Sequence, residues 1–200
     1  MKLSNIGLAA TAPRALWFTG LSAAGKSTIS RQLELVLQAQ GVRVVVLDAD
    51  LVRASVSSDL GYTAQDRTEN VRRIAAMARL LVDEGLTVLV SAASPSAADR
   101  RMAAAHFQPG DFRLIHVDAP ICVLQQRDPK GLYAAYARGE IRNMLGLDLS
   151  YETPANPDHY IRSDQNTVEQ ICADLIGRFF GETAEHAMQR SPTAKRTSAA

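Results

Sequence analysis

Gly20-Leu21-Ser22-Ala23-Ala24-Gly25-Lys26-Ser27 sets two glycines, a lysine and a hydroxyl in the order G-x-x-x-x-G-K-[ST], and Thr28 follows. Between a strand and a helix, such a loop turns successive backbone N–H groups toward one point and adds the positive end of the helix dipole. Only a polyanion fits that point well. In that role Lys26 reaches the β- and γ-phosphates of a nucleotide, and the Ser27 hydroxyl meets its Mg²⁺. The flanks agree: Ala15-Leu16-Trp17-Phe18 is an apolar run, and Ile29, Leu33, Val36 and Leu37 recur at helical spacing.

A second polar group closes the run Val42-Arg43-Val44-Val45-Val46-Leu47, where Asp48 and Asp50 stand two residues apart. If strand geometry persists, both carboxylates face one side. Asp50 is then the base that orients and deprotonates an acceptor hydroxyl, and Asp48 a Mg²⁺-water or structural partner. A plain strand-end turn is the competing reading. Arg53, Arg67 and Asn70 follow, the last two at i, i+3 on one helix face. Guanidinium groups grip phosphate or sulfate oxygens through paired donors, so this set points to an anionic second substrate. Arg72 and Arg73 read as a solvated face. Arg127, Lys130, Arg138 and Arg142 are placed to offset charge on a transferred phosphoryl group.

The elements that must hold these residues alternate. Apolar runs at 42–47, 86–90 and 112–117 read as strands and 160–162 as a short last one. Helical patterns follow Thr63, whose pairing with Asp66 suggests a capping box, and occupy 97–107, the stretch after Pro120, and 168–180, capped by Gly181. Alternation with short loops implies an α/β fold, a parallel sheet with helices on both faces. Ligands collect outside the carboxyl ends of such strands, which brings Ser91 and Ser94 after the third strand into the set. Residues 128–151 are basic and Gly-punctuated, with no long apolar stripe; they read as a lid over phosphates or as a solvated helix pair.

Two hundred residues, 46% of them apolar, suit one globular domain over 15–181, between a frayed leader at 1–14 and a disordered tail at 182–200. A net charge of +1 supplies no bulk field toward nucleic acid or a membrane surface, and no apolar run is long enough to span a bilayer. Cys122 and Cys172 read as buried thiols rather than a disulfide or metal site, which fits a reducing cytoplasm.

Taken together, the residues resemble the adenylylsulfate kinases. The resemblance runs from about Trp17 to Asp164. It is carried by Phe18-Thr19-Gly20-Leu21-Ser22, Gly25-Lys26-Ser27-Thr28, Leu47-Asp48-x-Asp50-x-Val52-Arg53, Asp59-Leu60-Gly61-Tyr62 and Asp66-Arg67-x-Glu69-Asn70-x-Arg72-Arg73. Ser94-Pro95, Val117-Asp118, Arg127-Asp128-Pro129-Lys130-Gly131-Leu132-Tyr133 and Gly139-Glu140-Ile141 with Asn143 complete it. The resemblance implies a three-layer P-loop kinase fold with a mobile lid around Lys130, and ATP and Mg²⁺ as cofactors. It also implies transfer of the γ-phosphate to the 3′-hydroxyl of adenosine 5′-phosphosulfate, by a homodimer. Asp50, Arg53, Arg67, Asn70 and Ser94 would contact the sulfated nucleotide, Tyr62 and Met144 would clamp its adenine, and Arg127 would join residues 20–28 on the ATP side. The family pattern labels the serine matching Ser94 as a phosphoserine intermediate, which direct in-line transfer does not need.

The chain departs from that pattern at Ala23 and Ala49, where the family usually has glycine, at Ala92-Ala93 in place of Phe-Ile, and at Met144 in place of Phe. If position 23 needs a positive φ, alanine costs on the order of 1 kcal/mol there. The thinner pocket keeps open a same-scaffold kinase acting on another small anionic hydroxyl-bearing metabolite. A nucleotide-binding switch without turnover is a third reading; the chain lacks an Asn-Lys-x-Asp guanine-reading sequence.

Overall fold

The computed structural model describes residues 12–181. In chain order the elements are β1 (Ala15–Thr19), α1 (Lys26–Ala39), β2 (Val44–Asp48), α2 (Ala49–Ala54), α3 (Ala64–Asp83) and β3 (Thr87–Ser91). Then come α4 (Ala97–Ala104), β4 (Phe112–Asp118), α5 (Ile121–Arg127), α6 (Leu132–Ala137), β5 (His159–Arg162) and α7 (Val168–Phe179). The strands form one parallel sheet in the order β2-β3-β1-β4-β5.

β1 lies at the centre, and all five of its residues are buried. Side chains alternate along a strand, so Leu16 and Phe18 face one core while Ala15 and Trp17 face the other. On the first side α1 and α7 contribute Ile29, Leu33, Leu37, Ile171 and Leu175; on the second α3 and α4 contribute Val71, Ile74, Ala75, Ala78 and Ala103. The strands are therefore apolar on both faces, as a parallel sheet between two helical layers requires. The expected α/β fold is the observed one. The capping box at Thr63 and Asp66 forms, and a second, at Thr167 and Gln170, starts α7.

Several local expectations are corrected. Strand geometry does not persist through Asp50: Asp48 turns the chain into α2 by accepting the Asp50 N–H at its side chain. Cys122 is exposed, and only Cys172 is buried; both are free thiols. Residues 128–151 hold one helix rather than a pair, and they are anchored: Tyr133 and Met144 are buried in the core beside α1, with Leu132, Tyr136 and Ile141 packed around them. Phe180, not Gly181, is the residue that ends α7. The expected leader, apart from residues 12–14, and the expected tail lie outside the described residues.

Candidate active site

The loop between β1 and α1 owes its shape to three residues at positive φ: Gly20 at 146°, Ala23 at 63° and Gly25 at 102°. A Cβ on Gly20 would overlap the Val117 carbonyl oxygen, so β1 and β4 can approach only with glycine there. Lys26 folds back over the loop, its Nζ donating to Gly20 O at 2.8 Å and Leu21 O at 2.7 Å. Burial brings its pKa down to about 8; the charge of Lys130 pushes the same way, and Asp50 and Asp48 oppose it.

Ser27 Oγ donates to Asp48 Oδ2 at 2.6 Å and lies 3.1 Å from Ser91 Oγ. Three oxygen-bearing side chains, from the start of α1 and the ends of β2 and β3, thus meet at the carboxyl edge of the sheet. Oxygen ligands of this kind suit a hard divalent cation such as Mg²⁺. Among the described residues no cluster of three His, Cys, Asp or Glu side chains forms an alternative metal site.

Around this edge opens a cavity of about 780 Å³, a size suited to small-molecule ligands. Ser22, Ala23, Gly25, Lys26, Ser27 and Thr28 line it from the loop. So do Asp50, Tyr62, Arg67, Arg127, Lys130 and Met144. Lys130 reaches across from the 128–151 segment to pair with the Asp50 carboxylate, and both side chains remain at least half exposed. Two guanidinium groups contact the Tyr62 ring, Arg53 at 4.7 Å and Arg67 at 5.5 Å from its centre. Arg67 also donates to Asn143 O at 3.0 Å, and burial, reinforced by Arg53, lowers its pKa. Arg127 donates to Ser163 Oγ at 2.9 Å and Ser163 O at 2.7 Å.

The remaining expected residues stand behind this surface. Gly20 and Ala24 are buried, Leu21 packs beneath Gly146, and Asp48 acts on the cavity through Ser27. Arg53 donates to Gly61 O and meets the cavity only through the Tyr62 ring. Asn70 is 3% exposed, and its Oδ1 has no hydrogen-bond partner among the described residues. Ser94 departs furthest from expectation. It is 1% exposed at φ 44°, its hydroxyl accepts from Trp17 Nε1 at 2.9 Å, and its carbonyl is held by Arg100 at 2.8 Å. In this conformation the hydroxyl faces the core, which runs against both acceptor contact and a phosphoserine role.

Sequence reasoning missed Ser163 and Asn166, which line the cavity just past β5. The strand-end rule applied to the fifth strand would have found them. Behind the site, outside the cavity lining, the Tyr151 hydroxyl lies 3.0 Å from Thr19 Oγ1 and its ring faces Arg100 and His116. No spacing in the sequence signals that cluster.

A family model described as adenylylsulphate kinase matches residues 12–162. The chain belongs to the adenylylsulfate kinase family. An adenylyl-sulfate kinase from Yersinia pestis is 45% identical over 166 residues, spanning 82% of this chain and 78% of that protein. A bifunctional enzyme CysN/CysC from Xylella fastidiosa is 44% identical over 164 residues; the match covers 82% of this chain and 26% of that longer protein. Among solved structures, the Mycobacterium tuberculosis APS kinase CysC in complex with AMPPNP and APS superimposes with a TM-score of 0.79 at 38% identity, covering 82% of this chain and 96% of that one. Stretches that carry the resemblance meet at the cavity: residues of the phosphate loop, Asp50, Tyr62, Arg67 and Lys130 all line it.

Proposed function

We propose that this chain is an adenylyl-sulfate kinase, transferring the γ-phosphate of ATP to the 3′-hydroxyl of adenosine 5′-phosphosulfate. The observation that carries the reading is the meeting, in one cavity, of a phosphate loop, an accessible carboxylate and an arginine-flanked aromatic: Lys26, Asp50 and Tyr62 with Arg67. Residues 20–28 and Arg127 take the ATP side. Lys26 leaves its two loop carbonyls for the phosphates, and Ser27 with Asp48 would hold Mg²⁺, which when bound draws charge from the β- and γ-phosphate oxygens. Asp50 accepts the proton of the acceptor hydroxyl. Tyr62 stacks on the acceptor's base, Arg67 meets its anionic groups, and Arg53 supports the Tyr62 ring from behind the lining. Lys130, released from Asp50, is free to turn to phosphate.

Residues 15–181 form the kinase domain in this reading, with 128–151 as its lid. Its need for ATP and its two free thiols support a cytoplasmic site, and the family resemblance supports a homodimer. Light scattering on the purified chain tests the dimer. Among the described residues no helix is long and apolar enough to cross a membrane.

A coupled assay comparing adenosine phosphosulfate with unsulfated nucleotides and with small phosphorylated sugars tests the activity. Preferred turnover of the phosphosulfate is expected, and its absence refutes the reading. Ala93 and Met144 line the cavity as smaller or softer side chains than the family pattern has, so turnover of a different anionic alcohol would favour the second reading, a same-scaffold kinase.

A further inference from the structure

Asp59, Glu69 and Arg73 belong to the stretches that carry the family resemblance, yet none of them lines the cavity. They meet one another instead. Arg73 on α3 forks onto both carboxylate oxygens of Asp59, Nη1 at 2.6 Å and Nη2 at 2.8 Å. Nη1 also donates to Val56 O at 3.2 Å, and Nε to Glu69 Oε1 at 2.9 Å. Glu69 is fixed in turn by a second fork from Arg72, at 2.7 and 2.8 Å. These two arginines, Arg72 foremost, hold the Glu69 carboxyl down at about 2. The expected solvated face of α3 is therefore a charge network, and its reach is specific: it ties α3 to residues 55–62, the irregular segment that ends in Tyr62.

Three arginines grip that segment, in two ways. Arg53 and Arg67 donate to its backbone at Gly61 O and Tyr62 O and stack on the Tyr62 ring; among the described residues neither forms an ion pair with a carboxylate. Arg73 alone has its charge matched, by Asp59 and Glu69. A lone exposed ion pair holds little, but a two-pronged fork within a network fixes geometry as well as charge. Its other hydrogen bonds run to the end of α2, from Ser55, and from Ser57 N–H to Val52 O at 2.9 Å, to Asp66 from the Gly61 backbone, or within the segment, such as Leu60 N–H to Ser57 O at 3.0 Å; the fork from Arg73 is the ion pair among them.

We propose that Arg73 is a positioning residue for the acceptor side of the site: its fork onto Asp59 sets the 55–62 segment, and with it Tyr62, against the cavity. This leaves Arg67, which lines the cavity, with its charge unmatched for a ligand, and Arg53 to support the Tyr62 ring. The inference rests on the reading of that side as the acceptor site. Arg73→Ala, Asp59→Ala and the double variant, each in the full chain, test it by steady-state kinetics with adenosine 5′-phosphosulfate and by amide hydrogen exchange without ligand. Each single variant should raise the acceptor KM by about tenfold, with the ATP KM within about twofold of the parent, and the double should be no worse than the weaker single. Amides of Ser57 and Leu60 should exchange faster while those of α1 do not change. Unchanged exchange at those two amides overturns the inference; so does faster exchange with an unchanged acceptor KM, or an ATP KM that rises in parallel. Absence of phosphosulfate turnover by the parent chain would instead overturn the functional reading, and the exchange measurement would still decide whether the fork holds the segment.

Discussion

Raising the pH should weaken nucleotide binding through one residue. Lys26 titrates at about 8 in the ligand-free site because burial disfavours its charged form and Lys130 repels it. Phosphates favour the charged form, so binding to a neutral Lys26 must be accompanied by proton uptake. With that pKa the residue is about 90% charged at pH 7 and about 10% charged at pH 9, so ATP affinity should fall by roughly tenfold between them. The sign follows from the direction of the shift: affinity is complete below the depressed pKa and is lost as pH rises through it. Calorimetry with a non-hydrolysable ATP analogue, in two buffers of different ionisation enthalpy, reads affinity and proton uptake together. Uptake should grow from about 0.1 proton at pH 7 to about 0.9 at pH 9. Lys26→Arg, if it still binds, should show no such dependence, since guanidinium stays charged. Flat affinity over this range with no proton uptake would refute the argument about burial.

Two further substitutions test the loop. Gly20→Ala forces a methyl group into the Val117 carbonyl and should cost about 3 kcal/mol or more of stability, seen as a large drop in melting temperature together with lost nucleotide binding. Ala23→Gly relieves a left-handed alanine at φ 63° worth about 1–2 kcal/mol, while freeing the unfolded chain returns about 0.4–1 kcal/mol. Calorimetric melting should therefore rise by a degree or two on the scale of roughly 2–4 °C per kcal/mol for a chain of this size, and no rise would mean the strain is absorbed elsewhere.

Features written in consecutive residues were legible in the sequence. The phosphate loop, the strand and helix around it, and the Thr63–Asp66 capping box each depend on neighbours within one or two turns. What escaped depends on contacts between distant parts of the chain. Ser94 looked open beside Pro95, but its hydroxyl meets Trp17 from β1 in the core. Residues 128–151 carried too short an apolar pattern to show an anchor, yet Tyr133 reaches Ser22 O at 3.3 Å and Met144 is buried. Arg73 read as solvated because Asp59, its partner, precedes the helix in a segment without periodicity. The Asp48-Ala49-Asp50 triplet was compatible with strand or turn, and only the cap that Asp48 makes onto Asp50 decides for a helix.

Asp50 carries the central claim, that an accessible carboxylate beside the phosphate loop takes the acceptor's proton. Its side chain is 63% exposed, so Asp50→Asn should fold with the parent's stability and, at pH 7 where Lys26 stays mostly charged, bind ATP within about twofold of the parent's affinity. Single-turnover transfer from ATP to adenosine 5′-phosphosulfate should slow by about 10²- to 10⁴-fold in this variant. Transfer within about threefold of the parent rate, with both substrates bound, would contradict the assignment of Asp50 as the base.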